Sequence, residues 1–124
     1  MLQVLDSFMN MCITNAAFNV DSSKVYLAGF SMGGIGTWKV LLRGNVKVAA
    51  AIPVCGGPLI GKDDHPGKVP ESMKKISIWA FNNCNDDVVQ NMFSKNIMSA
   101  LWSGKQTAAR YTELNEGHSD EYVF

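Results

Sequence analysis

The sequence predicts an α/β protein, a parallel sheet with helices on both faces. Three observations predict it. Short β-rich or apolar runs alternate with segments of helical period along the 124 residues, the order expected when each strand is joined to the next by a crossover. The run "VKVAAAIPV" is apolar almost without a break, as in a strand buried on both faces rather than one. Between the runs lie stretches long enough to carry a helix or an ordered loop back to the start of the next parallel strand. A chain of this length builds one small domain.

The elements follow in order. Leu2, Leu5, Met9, Cys12 and Ala16 recur at three and four residues, which predicts an amphipathic helix over about 2–17. The pattern is already in progress at the first residues, which suggests an upstream portion, and the stretch lacks the basic and small-residue marks of a signal peptide. The turn signal "NVDSS" precedes a first strand near 24–28. "MGGIGTWKVLLRG" reads as a helix ending near Gly44. A second strand is expected at 47–53, then a Gly/Pro/Asp-rich loop from Cys55 to about Pro70. "ISIWAF" gives a third strand at 76–81. Val89, Phe93, Ile97 and Leu101 mark one face of a helix that starts from about Asp87 and ends at Gly104. "AARYTEL" is a fourth strand at 108–113, and a short helical tail follows "NEGHS". The four strands should lie side by side in chain order.

Bulk properties narrow the functions. Lys and Arg balance Asp and Glu at 11 each, and no basic run points to nucleic acid or to an anionic membrane surface. No apolar stretch is long enough for a membrane helix. The three cysteines, Cys12, Cys55 and Cys84, form no zinc-type spacing. Cys55 and Cys84 each follow a strand end, close enough for a disulfide between them, but buried free thiols are the expected state.

The chemistry centres on "VYLAGFSMGGIGTW". Gly29-Phe30-Ser31-Met32-Gly33 fits G-x-S-x-G between a strand and a helix. A chance match occurs in roughly one chain in twenty of this length, so the flanking strand and helix carry more than the letters do. A turn this tight strains the serine backbone and raises its hydroxyl above the carboxyl edge of the sheet. Gly29 and Gly33 would remove side chains that collide with the neighbouring strand and helix. The Met32 amide would point to the same spot and donate to an oxyanion, with the positive end of the helix behind it. A phosphate site at Gly33-Gly34 is a weaker reading, since no lysine accompanies it.

A hydrolytic serine of this type needs a later acid and then a histidine. Of the two histidines, His118 follows the last strand, whereas His65 precedes any acid beyond the third strand. Asp86 and Asp87 both follow the third strand; one could cap the next helix while the other orients His118. Asp63, Asp64 and Asp120 are weaker candidates.

"DSSKVYLAGFSMGGIGTW", "AAAIPVCGG", "ISIWAFNNCNDDVV" and "RYTELNEGHSDEY" together resemble the α/β-hydrolase superfamily. The resemblance is strongest to its esterase/phospholipase-carboxylesterase and polyhydroxybutyrate-depolymerase-like group, which also holds peptidase-like members. It implies Ser31 as nucleophile, His118 as base and Asp86 as acid, in an esterase that needs no cofactor or metal. The implied substrate is a small-molecule or carbohydrate-linked ester, with peptide bonds as the alternative. In such relatives the third strand ends in Phe-His-Gly; here Asn82 and Asn83 stand at the last two positions. The resemblance also implies that residues 1–124 match the C-terminal half of the domain. The early strands and the loop with the second oxyanion donor would then be missing, and the first strand would be a bare edge prone to self-association. A truncated, non-catalytic or oligomerising fragment is the second reading of function.

Overall fold

In the computed structural model, residues 2–57, 69–105 and 108–118 are described. The expected His65, Asp63, Asp64, Asp120 and helical tail lie outside them. Four strands form one parallel sheet in the order β1 (Tyr26–Phe30), β2 (Ala50–Val54), β3 (Ser77–Asn83) and β4 (Ala109–Leu114). All four expected strands are present, each starting one to three residues later than the apolar runs suggested. The pairing of β2 with β3 joins Ala50 to Ser77, Ala51 to Ile78 and Val54 to Phe81. It skips Ile52 and Pro53, and Pro53 has no amide to give a neighbouring strand.

Among the described residues three α-helices accompany the sheet: α1 (Leu2–Thr14), α2 (Met32–Arg43) and α3 (Met92–Ser103). The first stops short of Ala17 because Asn15 accepts from the Ala17 amide and starts a separate 3-10 turn, Ala16–Phe18. Before β1, Asp21 Oδ1 accepts from both the amide and the hydroxyl of Ser23, which makes the expected turn and lowers the Asp21 pKa. Gly44 ends α2 in the left-handed conformation, φ 65°, its amide bonded to the Val40 carbonyl. The last helix starts at Met92, five residues after Asp87. The Asp86 carboxylate takes the amides of Val88 and Val89 at 2.9 and 2.7 Å, and a side chain that captures these donors holds the segment as a turn instead of a helix.

The period of two along each strand decides where the core sits. Leu27, Ala51, Ile78, Ala80, Ala109 and Tyr111 turn to one side, where they pack with Trp38, Leu41, Ile97, Met98 and Leu101 of α2 and α3. Met9 and Ile13 bring α1 against the same cluster, and its Asp6 pairs with Arg43 of α2 at 2.9 Å. Helices were expected on both faces. Among the described residues they cover this one; on the other, Ala50, Ile52, Ser77, Trp79 and Arg110 line an open hollow of about 350 Å³. Among the described residues no strand pairs with the outer edge of β1. Tyr26 is 69% exposed, and Val4, Phe8 and Met11 of α1 are exposed as well.

Candidate active site

The turn from β1 into α2 places the serine. Ser31 has φ 53° and ψ −113°, a backbone conformation that costs an L-residue about 1–3 kcal/mol. Its amide donates to the Val54 carbonyl at 2.9 Å, tying the turn to the end of β2. A Cβ on Gly29 would stand 2.3 Å from the Gly33 carbonyl oxygen, so the chain crosses itself there only because Gly29 has none. Gly33 differs from expectation: a Cβ at that position would meet nothing within 4 Å. The glycines that the close packing requires are instead Gly34, whose Cβ would lie 2.5 Å from the Val54 oxygen, and Gly56, whose Cβ would lie 2.3 Å from the Gly34 carbonyl carbon. Their signal was present in "MGG" and "CGG". Gly56 is further fixed through its carbonyl, which accepts from the Trp38 indole at 2.9 Å and from the Ser94 hydroxyl at 2.7 Å.

Three side chains meet above that turn. His118 Nε2 lies 2.7 Å from Ser31 Oγ, and His118 Nδ1 lies 2.7 Å from Asp86 Oδ2. The Asp86 side chain is buried and the His118 ring nearly so. Phe30 stacks at a tilt on the His118 ring, centroids 5.0 Å apart. The division of labour between the aspartates differs from expectation. Neither aspartate caps α3; Asp86 holds the Val88 and Val89 amides of the preceding turn with one oxygen and faces His118 with the other, while Asp87 is exposed. Met32 opens α2 and its side chain is 81% exposed. Its amide is among the first of a helix, which have no acceptor within it.

Two adjoining loops hold the histidine. The Asn83 side chain donates to the Gly117 carbonyl, one residue before His118. The Cys84 amide donates to the Leu114 carbonyl at 2.8 Å, and the Asn85 side chain donates to Asn115 Oδ1 at 2.9 Å. The Asn82-Asn83 departure from the usual pattern thus bears on the site through Asn83. Asn82 is buried, and neither of its side-chain polar atoms has a partner among the described residues. No disulfide joins the three cysteines; Cys55 is buried as expected and Cys84 is exposed, contrary to expectation. Its Sγ lies 3.1 Å from Asn115 Oδ1.

No family model matches the chain. Over 72 residues it is 32% identical to a bifunctional acetylxylan esterase/xylanase of Neocallimastix patriciarum; the match covers 58% of the chain and 10% of that protein. Among solved structures it is similar to a thermostable esterase, with 30% identity, TM-score 0.71, and 98% of the chain against 30% of the other covered. It shares the fold of MGS-M1, an α/β hydrolase from a Medee basin deep-sea metagenome library, at TM-score 0.75 and 18% identity, over 95% of the chain and 50% of the other. It shares the fold of a Bacillus cereus carboxylesterase at TM-score 0.70 and 16% identity, over 95% and 52%. The chain therefore spans 30% to 52% of these structures, and 10% of the curated relative. The chain has the α/β-hydrolase fold, and the relatives it resembles in sequence are esterases.

Proposed function

We propose that Ser31, His118 and Asp86 form the catalytic set of a carboxylic ester hydrolase. The observation that supports this most is the continuous line from Ser31 Oγ through both ring nitrogens of His118 to the Asp86 carboxylate, 2.7 Å at each step. Such spacing suits proton transfer without rearrangement. His118 Nε2 takes the hydroxyl proton as Ser31 Oγ attacks the ester carbonyl carbon. Asp86 keeps the remaining ring proton on Nδ1 and stabilises the imidazolium. The Met32 amide donates to the oxyanion that forms. Collapse expels the alcohol, which takes the proton from His118, and leaves an acyl-serine. Water, deprotonated by His118, then releases the acid.

Ester and peptide bonds yield to the same machinery. The esterase relatives favour the ester, and the acetylxylan esterase points to a short acyl group on a carbohydrate or another small molecule. The test is labelling by a fluorophosphonate probe together with hydrolysis of p-nitrophenyl acetate. Both should be abolished in Ser31→Ala. A folded chain that does neither overturns the proposal.

A second reading is favoured by the bare edge. Leu5, Leu27, Ala28, Met32 and Ile35 line an open groove of about 710 Å³ between α1, β1 and α2. We read residues 1–124 as one partial domain whose edge further strands of the fold would cover. In their absence the same edge would pair with a second copy. Sedimentation of the isolated chain tests this: a monomer at high concentration would overturn the pairing.

A further inference from the structure

Cys55 follows β2 directly, in the left-handed conformation at φ 43°, and is 1% exposed. Its Sγ, a carboxylate oxygen of Asp86 and a ring nitrogen of His118 all lie within 4.8 Å of one another. The hydrolase chemistry makes no use of this thiol. Yet a thiolate, an imidazole and a carboxylate are the donor set that prefers a borderline-soft divalent cation over magnesium or calcium. Around a tetrahedral zinc, with bonds of about 2.0–2.3 Å, such donor atoms stand roughly 3.3–3.7 Å apart, so closure on an ion needs shifts on the order of 1 Å. The Asn83 side chain, whose Nδ2 lies 3.5 Å from Cys55 Sγ, would help hold the sulfur in its charged form.

We propose that Cys55, Asp86 and His118 bind a zinc-class cation that switches the serine off, an inference about regulation that rests on the proposed hydrolase reading. His118 Nδ1 already faces Asp86 and is the nitrogen placed to join the ion. It can do so only without its proton. The neutral ring therefore carries its proton on Nε2, the Cys55 thiol releases one proton to solvent, and a water fills the fourth position. Nε2–H then donates to Ser31 Oγ and can no longer accept from it. The serine loses its base while the fold stays in place.

The test uses the full chain with Zn²⁺ and with Cd²⁺, whose bond to a thiolate gives an ultraviolet charge-transfer band. The Cys12→Ser/Cys84→Ser double variant, in which Cys55 is the only thiol, should bind one Cd²⁺ and show the band. Cys55→Ser should lose it. Zn²⁺ should suppress both ester hydrolysis and fluorophosphonate labelling, reversibly with a chelator. Cys55→Ser, compared with its own metal-free rate, should resist Zn²⁺. No band in the double variant, or Zn²⁺ inhibition unchanged in Cys55→Ser, overturns the metal site. A chain that binds Cd²⁺ through Cys55 but has no serine reactivity without metal keeps the site and overturns the hydrolase reading instead. Should Cys55→Ser not fold, the double variant alone decides.

Discussion

Replacing Asp86 by Asn separates the electrostatic role of this carboxylate from its structural one. Asp86 Oδ1 accepts from the Val88 and Val89 amides at 2.9 and 2.7 Å, and Oδ2 meets His118 Nδ1 at 2.7 Å. Asparagine has one oxygen. The two fixed amides claim it, because the alternative leaves two donors, the Val89 amide buried, facing an NH₂ group. The NH₂ must then point at His118 and donate to Nδ1. The ring proton moves to Nε2, and Ser31 Oγ loses its acceptor. With this tautomer reversed, turnover should fall about 10⁴-fold, or about 5 kcal/mol in activation free energy. Stability should fall less, by about 1–2 kcal/mol, as charged hydrogen bonds become neutral ones on the same turn. The assay is p-nitrophenyl acetate turnover beside thermal unfolding. Asp87→Asn, at an exposed position, should change turnover by no more than about twofold. Asp86→Asn within tenfold of the parent, or the reverse ranking, would refute the reasoning.

The two glycines of the motif should separate in the same way. Gly29→Ala, with its Cβ 2.3 Å from the Gly33 oxygen, should cost about 3 kcal/mol and abolish labelling of Ser31. Gly33→Ala, whose Cβ meets nothing within 4 Å, should melt at the same temperature or higher, since alanine suits a helix better by about 0.5–1 kcal/mol. Asn83→Ala releases the Gly117 carbonyl and should lower kcat more than it raises KM, because His118 loses its placement while the substrate surface is untouched; an effect on KM alone would count against it. Burial first, and the Glu113 carboxylate second, hold the Tyr111 phenol above its ordinary value. Above about pH 10 the unfolded chain gives up this proton and the folded chain keeps it, so stability falls as pH rises. Tyr111→Phe removes both this loss and a buried hydroxyl with no partner. It should unfold at higher pH than the parent, and equal alkaline midpoints would contradict that.

Much of this molecule is local and could be read along the chain. The four strands, their order and their parallel sense follow from apolar runs separated by crossover-length segments, and "GFSMG" at a strand–helix junction marks Ser31 because its glycine and serine requirements are local. What failed locally was timing. The strands begin late, and α3 begins at Met92 because the Asp86 side chain competes for the Val88 and Val89 amides, an event that the helical period of Val89 and Phe93 does not register. Which aspartate faces His118, and that the same residue also holds the turn before α3, depends on where the β4 loop returns across 32 residues. The need for Gly34 and Gly56, rather than Gly33, depends on how closely α2 approaches the turn after β2. The thiol of Cys55 beside Asp86 and His118 is likewise a matter of three separate strand ends meeting. Periodicity and turn chemistry act between neighbours in sequence, so sequence alone determined the elements and the candidate serine. Close approach acts between neighbours in space, so only the packed sheet decided which side chains share one site.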